Sequence, residues 1–366
     1  MKKLSVILTL VLIASLLAGC AGTPVVYNCT CPTEGAAVPE TTPATEAPAS
    51  TEAPAEGAVK TGLAIVANVG KSVSATAEAP ASIDYDVTLV AVNVDDSGVI
   101  QSCIIDGIKS TVSAELDADG NYVALENPVQ TKNELGENYG MVAYGNAVAE
   151  WDQQAAALAA FAVGKTVEEL KSGAIDETGY APDGSDLATS ATIYLGGYVS
   201  AIEKAVANAR HLGAQAGDEL KLVSDNTVSV SDVHDAENGT HTGLAQLDAT
   251  VLAMTMNGDT ITSAAIDAVQ AKVSLDDAGT ITTDVTAPVA TKNELGENYG
   301  MKAWGGAIAE WDEQAAAFAA YITGKTPTEV AGIAVNEKTA PAEADLTASV
   351  TIAIGGFQAL VAKAAQ

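Results

Sequence analysis

The sequence predicts an α+β protein with two tandem homologous domains after a disordered tether. Two observations carry this prediction. The segment TKNELGENYGM at 131–141 recurs letter for letter at 291–301, and the blocks 131–170 and 291–330 agree at 28 of 40 positions. In each copy, alternating strand patterns precede an alanine-rich helical block. Each domain is therefore expected to hold a small antiparallel sheet, a helical middle block and a C-terminal helix.

The amino terminus has the pattern of an export leader. Lys2 and Lys3 precede an apolar run too short for a transmembrane helix, and the run ends in LAGC with its cysteine at position 20. This ending is similar to the bacterial lipobox, whose cysteine is acylated. The similarity implies a signal peptide at 1–19, a membrane anchor at Cys20 and an extracytoplasmic chain. An ordinary secretory leader with an incidental cysteine is the alternative.

Residues 20–58 are rich in Pro, Thr, Glu and Ala and predict an extended acidic tether. Cys29 and Cys31 form a C-x-C pair without further Cys or His partners, which is weak support for metal or redox chemistry. Cys103 stands where the second copy has Ala264, so a small buried apolar residue is expected there.

The elements repeat in the same order in both copies. Strand, turn and strand are expected at 87–106 and 249–267, with turns at Asp96-Ser97-Gly98 and Asn257-Gly258. A helical block follows and stops at Gly164 or Gly324. Capping boxes (Thr166 with Glu169, Thr326 with Glu329) then open the next helix, and a short strand leads into a final helix. The domain boundaries fall at 59–214 and 215–366.

Net charge and the absence of repeated catalytic or metal-binding motifs argue against several classes of function. The 17 basic and 47 acidic residues give a formal charge of −30, which disfavours nucleic acid as a partner. The two GKT triplets lack the upstream glycine of a phosphate-binding loop. His211, His234 and His241 have no counterparts in the first copy, so no metal site is expected. No acid–base pair or nucleophile–base dyad is duplicated either, so the repeated residues do not indicate an enzyme with its own substrate pocket.

The repeated glycine segment is the first candidate site. Its glycines allow unusual backbone angles, its aromatic and thioether side chains suit stacking on a ring, and a lysine lies beside them. A ligand-lining loop is favoured, and a tight structural loop is the alternative. The candidate ligand-lining residues are Lys132, Tyr139 and Met141 in copy one and Lys292, Tyr299 and Met301 in copy two.

The second candidate site is the segment DLATSAT at 186–192, matched by DLTASVT at 345–351. It resembles the motif Asp-x-x-Ser/Thr-Gly-Ala-Thr of the FMN-binding domain of extracytoplasmic flavoproteins. In that family the last threonine is esterified to the phosphate of FMN by a secreted flavin transferase. The resemblance implies attachment at Thr192 and Thr351, with Asp186 and Asp345 as the leading acids. Serine replaces the family glycine in both copies, and ordinary strand-end or N-cap threonines are the alternative.

The whole layout of leader, tether and two such domains is similar to the flavinylated lipoproteins of Gram-positive extracellular electron transfer. This resemblance implies covalent FMN on each domain and electron relay at the cell surface. It also implies a flavin transferase and a membrane electron donor, such as a quinone-linked dehydrogenase, as partners. The alternative is a surface lipoprotein without redox chemistry whose domains bind a protein, peptide or glycan.

Overall fold

A computed structural model describes residues 57–235 and 240–366 of the chain. The signal peptide, Cys20, the C-x-C pair and most of the tether lie outside the described residues, so these predictions stay predictions. The described residues form a mixed α+β fold with two antiparallel sheets. No helix among them is long and apolar enough to cross a membrane.

The first sheet has three strands in the order β1-β2-β3. The turn predicted at Asp96-Ser97-Gly98 joins β2 to β3, and the Asp95 side chain accepts hydrogen bonds from the backbone of Ser97 and Val99. Burial alternates along the first part of β2, as expected for a strand with one face on a core. The strands are β1 (Lys60–Asn68), β2 (Ala81–Val94) and β3 (Ile100–Ala114).

The second sheet has four strands in the order β4-β5-β6-β7. The predicted Asn257-Gly258 turn joins β6 to β7. The edge strand β4 of this sheet comes from the first half of the sequence. It pairs antiparallel with β5, and Leu125 lies opposite Val230. The strands are β4 (Leu125–Pro128), β5 (Glu219–Asp235), β6 (Thr240–Asn257) and β7 (Thr260–Leu275).

The helices of the two halves follow the same order. In each half a single 3₁₀ turn, Gly136–Tyr139 or Gly296–Tyr299, separates the first two helices. The first half contains α1 (Lys132–Leu135), α2 (Met141–Gly145), α3 (Trp151–Ala162), α4 (Val167–Ala174), α5 (Asp186–Ser190) and α6 (Gly196–Asn208). The second half contains α7 (Lys292–Leu295), α8 (Met301–Gly305), α9 (Trp311–Ile322), α10 (Pro327–Ala331), α11 (Ala344–Thr347) and α12 (Gly355–Ala364).

The GKT triplets stop one helix and cap the next, as the sequence predicts. Gly164 follows the end of α3 with a left-handed φ of 79°. Thr166 then accepts from the Glu169 backbone N–H while the Glu169 side chain accepts from the Thr166 N–H. The same reciprocal pair opens α10 at Thr326. The two predicted capping boxes are confirmed.

The two sheets pack face to face, and helices cover their outer faces. One core cluster lies between the sheets and takes side chains from both halves, including Leu89 of β2 and Leu247 of β6. Alternate residues on the outer faces pack instead under α3 and α6, or under α9 and α12. All described residues belong to one compact unit, Ala53–Gln366, because the inter-sheet core joins the halves.

The halves also exchange contacts in a reciprocal manner. While β4 of the first half pairs with β5, Val289 of the second half bridges Ala67 of β1. Two further contacts repeat this relation. Lys204 of α6 lies 2.7 Å from Glu294 in the second half, and Lys363 of α12 forms an ion pair with Glu134 in the first. Each half therefore supports the repeated turn of the other.

The short strand predicted before the final helix is wrong in both halves. Residues 186–190 instead form the one-turn helix α5, because the Ser185 side chain accepts from the Ala188 N–H and so caps a helical turn. In the second half, α11 occupies the same place. The middle helix α3 also begins later than the alanine-rich pattern indicates, at Trp151. Asn146 has a left-handed backbone conformation and ends α2, so the two helices are separate.

Candidate functional site

The repeated segment is a capped turn with a fixed backbone. Thr131 accepts from the Glu134 N–H and Glu134 accepts in return from the Thr131 N–H. Asn133 donates to the Ile105 carbonyl of β3 at 3.0 Å, which fixes the turn to the sheet. The same contacts recur around Thr291, so much of the segment's chemistry is used within the fold.

The second glycine of the segment supports an exposed aromatic ring. Gly140 has a left-handed φ of 81°, and a Cβ added there would lie 2.7 Å from the Tyr144 ring. Gly300 has φ 82°, and a Cβ there would lie 2.4 Å from the Trp304 ring. Tyr144 is 92% exposed and Trp304 91%. Each half therefore presents one flat aromatic side chain to solvent.

A buried glutamate at the start of the middle helix holds this loop. Glu150 accepts from the backbone N–H groups of Met141 at 2.8 Å and Val142 at 2.9 Å. Glu310 accepts from the backbone N–H groups of Met301 at 2.8 Å and Lys302 at 3.0 Å. Charge-assisted bonds from two amides satisfy each buried carboxylate and fix the loop's position.

A buried glutamine one helical turn later holds the threonine loop. The Gln154 carbonyl oxygen accepts from the Thr192 N–H at 2.8 Å, the Ile193 N–H at 3.2 Å and the Thr192 hydroxyl at 3.3 Å. Its amide nitrogen donates to the Ala149 carbonyl at 2.8 Å, which fixes its orientation. Gln154 is fully buried, whereas Thr192 is exposed.

The second half repeats this arrangement. Gln314 accepts from the Thr351 N–H at 2.8 Å, the Thr351 hydroxyl at 3.1 Å and the Ile352 N–H at 3.2 Å. Thr351 is also exposed. The glutamate and the glutamine lie four residues apart, about 6 Å along the helix, so one face of the middle helix holds both the glycine loop and the threonine loop. The structure thus brings the two sequence-predicted sites together in each half.

The leading acids lie at the surface and do not reach the threonines. Asp186 and Asp345 are exposed residues in α5 and α11, the one-turn helices that precede the threonine loop. Thr189 of the same motif donates its hydroxyl to the Asp186 carbonyl at 2.7 Å. The carboxylates themselves remain available to an external partner.

The two lysines of the repeated segment contact aromatic rings of the protein. The Lys132 ammonium lies 4.7 Å from the Trp151 ring centroid and 5.5 Å from that of Tyr139. In the second half, Lys292 lies 4.8 Å from Trp311 and 4.9 Å from Tyr299. Burial lowers the pKa of Lys132, and the Asp86 carboxylate 3.8 Å away opposes this shift. These cation–π contacts hold the half-buried tyrosines against the middle helix.

Residues that the sequence interpretation missed complete the site. Glu150, Gln154 and their counterparts lie in the segment EWD-x-Q, whose repetition is visible in the sequence. Their role depends on loops that only the fold brings together. Asp106 and Asp267 were missed as well. Burial raises the pKa of both carboxyl groups, that of Asp267 to about 6, while hydrogen bonds from neighbouring N–H groups oppose the shift.

The surroundings of the two threonines differ. In the first half the exposed Tyr194 lies edge-on to Tyr180 with ring centroids 5.6 Å apart. The second half has Ala353 and Ala340 at these positions. Only the first threonine loop therefore carries an aromatic pair.

The histidines and Cys103 form no metal centre. His211 lies 2.9 Å from Asp96, and His241 lies 2.7 Å from Asp232. Burial raises the pKa of the Cys103 thiol to about 12, so it stays protonated at neutral pH. Within residues 57–235 and 240–366, no group of three or more His, Cys, Asp or Glu side chains could hold a metal ion.

Two cavities of about 720 and 440 Å³ lie on another side of the middle helices. Asp312 lines the larger and Asp152 the smaller, and neither threonine lines either of them. On a helix with 100° per residue, Asp152 and Gln154 point about 160° apart. The candidate attachment sites and the cavities are therefore separate features. Comparison with known proteins finds no matching family model, no matching curated protein and no matching solved structure.

Proposed function

We propose that this protein is a lipid-anchored, extracytoplasmic electron carrier with FMN esterified to Thr192 and Thr351. The observation that carries the proposal is duplicated: a buried glutamine fixes the backbone of an exposed threonine beside a glycine loop. A modifying enzyme needs a hydroxyl that it can reach on a loop of defined shape. Gln154 and Gln314 supply that shape, and both threonines are exposed residues whose hydroxyl groups donate to the glutamine at 3.3 and 3.1 Å.

The residues around each threonine suit a flavin. The half-buried Met141 and Ile193 offer apolar contact, and Tyr144 presents an exposed aromatic face. Four residues after Thr192, α6 begins without a side-chain cap, and α12 begins likewise after Thr351. The Gly196 N–H already donates to the Gly179 carbonyl at 3.0 Å, so the later N–H groups of the first turn of α6 are the ones that would favour a nearby phosphate.

The chain would bind, orient and expose the cofactor, while bound flavin supplies the redox chemistry. We infer that the halves are homologous domains from one duplication, at 59–214 and 215–366, each with one flavin. The anchor at Cys20 and the acidic tether would hold them outside a Gram-positive membrane. A secreted flavin transferase and a membrane electron donor are the implied partners.

The lysines of the repeated segment enter this proposal indirectly. Lys132 is 5% exposed, and its ammonium faces Trp151 and Tyr139. It would therefore position Tyr139 rather than bind phosphate. Direct contact of Tyr139 and Tyr299 with the ring stays a prediction.

The test is intact mass and in-gel flavin fluorescence of the chain without its leader and Cys20, co-expressed with a flavin transferase. We expect two FMN units, one unit in Thr192→Ala or Thr351→Ala, and none in the double variant. Thr189→Ala is the matched control, because its hydroxyl is exposed in the same motif. Unchanged flavin after denaturation of the double variant would contradict the attachment sites. No added mass on the wild-type chain would contradict the flavoprotein proposal.

A further inference from the structure

The larger cavity is a groove along the edge of the second sheet. Its floor is the β7 stretch from Ala264 to Asp267, and one wall is the alanine face of α9, including Ala316 and Ala319. The opposite wall comes from the first half, from Lys204 of α6 to the residues that follow this helix. At about 720 Å³, the groove has the size of a ligand site.

The floor of the groove is a partly unpaired strand edge. In the described residues β7 is an edge strand with β6 as its only neighbour in the sheet. Its outer side is closed at both ends. Ile261 pairs with the chain after α9, and the Ile266 carbonyl accepts from the Asn293 side chain at 3.0 Å. Between these points no described strand pairs with β7 at Ala264, so its backbone edge is open to an added strand.

The dimensions match a short extended peptide. The α9 wall runs from Asp312 to Thr323. Eleven steps along a helix correspond to roughly 16 Å. An extended chain covers this length with about five residues. The alanines of α9 leave room for small side chains and form a smooth apolar wall.

The two ends of the groove carry opposite charges that the protein does not pair. At one end, Asp312 makes no hydrogen bond or ion pair in the described residues, and one of its carboxylate oxygens, Oδ1, is buried without a partner. Arg210 also lines the groove, and its backbone pairs with Thr61, whose hydroxyl lies 2.7 Å from that of Ser263 near the start of β7. A Cβ added at Gly213 would contact the Thr262 carbonyl and Thr323, which places this segment at the far end of α9.

Arg210 has no acidic partner in residues 57–235 and 240–366. One guanidinium nitrogen donates to the carbonyls of Ala207 at 3.0 Å and Ala209 at 2.9 Å. The other basic groups of the groove are paired, Lys204 with Glu294 and His211 with Asp96. Arg210 is therefore the cation left for a ligand.

We propose that this groove binds a free peptide of about five small residues as an added antiparallel strand on β7. Antiparallel pairing with β7 directs the peptide's amino end towards Asp267 and Asp312, and its carboxyl end towards Thr262 and Arg210. The ammonium group then meets the unpaired carboxylate and the carboxylate meets the guanidinium. Strand direction and end charges thus agree.

The first half provides a matched control groove. It is smaller, about 440 Å³, and has Cys103 in place of Ala264 and Asp152 in place of Asp312. No arginine, lysine or histidine lines it. Without a cation for the carboxylate end, it is expected to bind the same peptide much more weakly.

The test is isothermal titration calorimetry of the full chain with penta-alanine. We expect one site, and N-acetylation or C-amidation of the peptide should each weaken binding about tenfold. In Asp312→Asn, acetylation should make little further difference, whereas Asp152→Asn should behave as the wild-type chain does. Absence of binding at millimolar peptide, or equal binding of the free and capped peptides, would overturn the proposal.

A second measurement tests the strand pairing without altering the protein. N-methylation of the peptide at alternate residues should abolish binding, because those amides donate to β7, while methylation between them should be tolerated. Equal loss at every position would overturn the pairing. The proposal does not rest on flavin, and the Thr192→Ala, Thr351→Ala double variant should bind penta-alanine unchanged.

Discussion

Replacing Gln154 with leucine removes the side chain that shapes the threonine loop. Leucine has a similar size, so it keeps the helix packed while it breaks four hydrogen bonds. The backbone N–H groups of Thr192 and Ile193 and the Ala149 carbonyl lose their partner. An unpaired polar group costs about 1–3 kcal/mol, and water reaches this exposed loop, so the low end of that range applies. We expect Gln154→Leu to lower the free energy of unfolding by about 3 kcal/mol.

Chemical denaturation followed by tryptophan fluorescence measures this loss, since Trp151 is buried one turn away. Amide hydrogen exchange locates it, and the Thr192 and Ile193 amides should lose protection. Gln153→Ala is the control: it removes the acceptor of the Glu150 N–H in the capping box of α3, should cost about 1 kcal/mol and should leave the Thr192 and Ile193 amides protected. Gln314→Leu should affect only the second threonine loop.

The reasoning is refuted if Gln154→Leu costs less than about 1 kcal/mol and leaves the two amides protected. That outcome would mean that the loop holds its shape without the glutamine. A loss of about 3 kcal/mol with unchanged exchange would place the damage elsewhere in the helix and would also contradict the assigned role.

Two further predictions concern the contacts between halves and the buried acids. A double-mutant cycle of Lys204→Met and Glu294→Gln should give a coupling of about 0.5–1 kcal/mol in the free energy of unfolding. Because the pair is partly exposed, added salt should reduce this coupling. Zero coupling at low salt would contradict the ion pair. Burial raises the pKa of Asp267 to about 6 from 3.8, so the folded state holds the proton more tightly and stability falls as pH rises through this window, by about 3 kcal/mol in total. Asparagine cannot ionise, so Asp267→Asn should remove this loss of stability. The free energy of unfolding of the variant relative to wild type should therefore be higher at about pH 7.5 than at about pH 4.5, and an equal difference at both pH values would refute the prediction.

Local features of the fold were predictable from the sequence. The Asn257-Gly258 turn and the capping boxes at Thr166 and Thr326 depend on residues within a few positions of each other. The strand predicted before the final helix failed because Ser185 caps a helical turn, which a strand pattern of small residues does not reveal. Short-range chemistry was thus readable at the hairpin turn and the capping boxes, but not at the single cap of Ser185.

The site was predictable only in part, since its organising contacts are long-range. A motif predicts Thr192 and Thr351 as attachment sites, and this stays a prediction, whereas no motif predicts that Gln154 binds Thr192 across 38 positions. The pairing of β4 with β5 joins Leu125 to Val230 across the two halves. No spacing rule within one copy predicts such a contact, because it depends on how the sheets pack.

The reciprocal contacts give a physical reason for the identity of the repeated segment. Glu134 must complete a capping box with Thr131 and also pair with Lys363 of the other half. Glu294 likewise completes a capping box with Thr291 and pairs with Lys204 of the other half. A substitution in this turn therefore disturbs two places at once.

Some positions that face only their own half have diverged, while others, such as Trp151 and Trp311, are identical. Leu158 and Phe318 occupy equivalent places on the middle helices, but they pack in separate cores and can change with their own neighbours. Contacts between the halves thus account for the identity of Glu134 and Glu294 within TKNELGENYGM without a ligand. The case for flavin then depends on the motif resemblance at Thr192 and Thr351 and on the exposed position of both residues, which no contact between the halves requires.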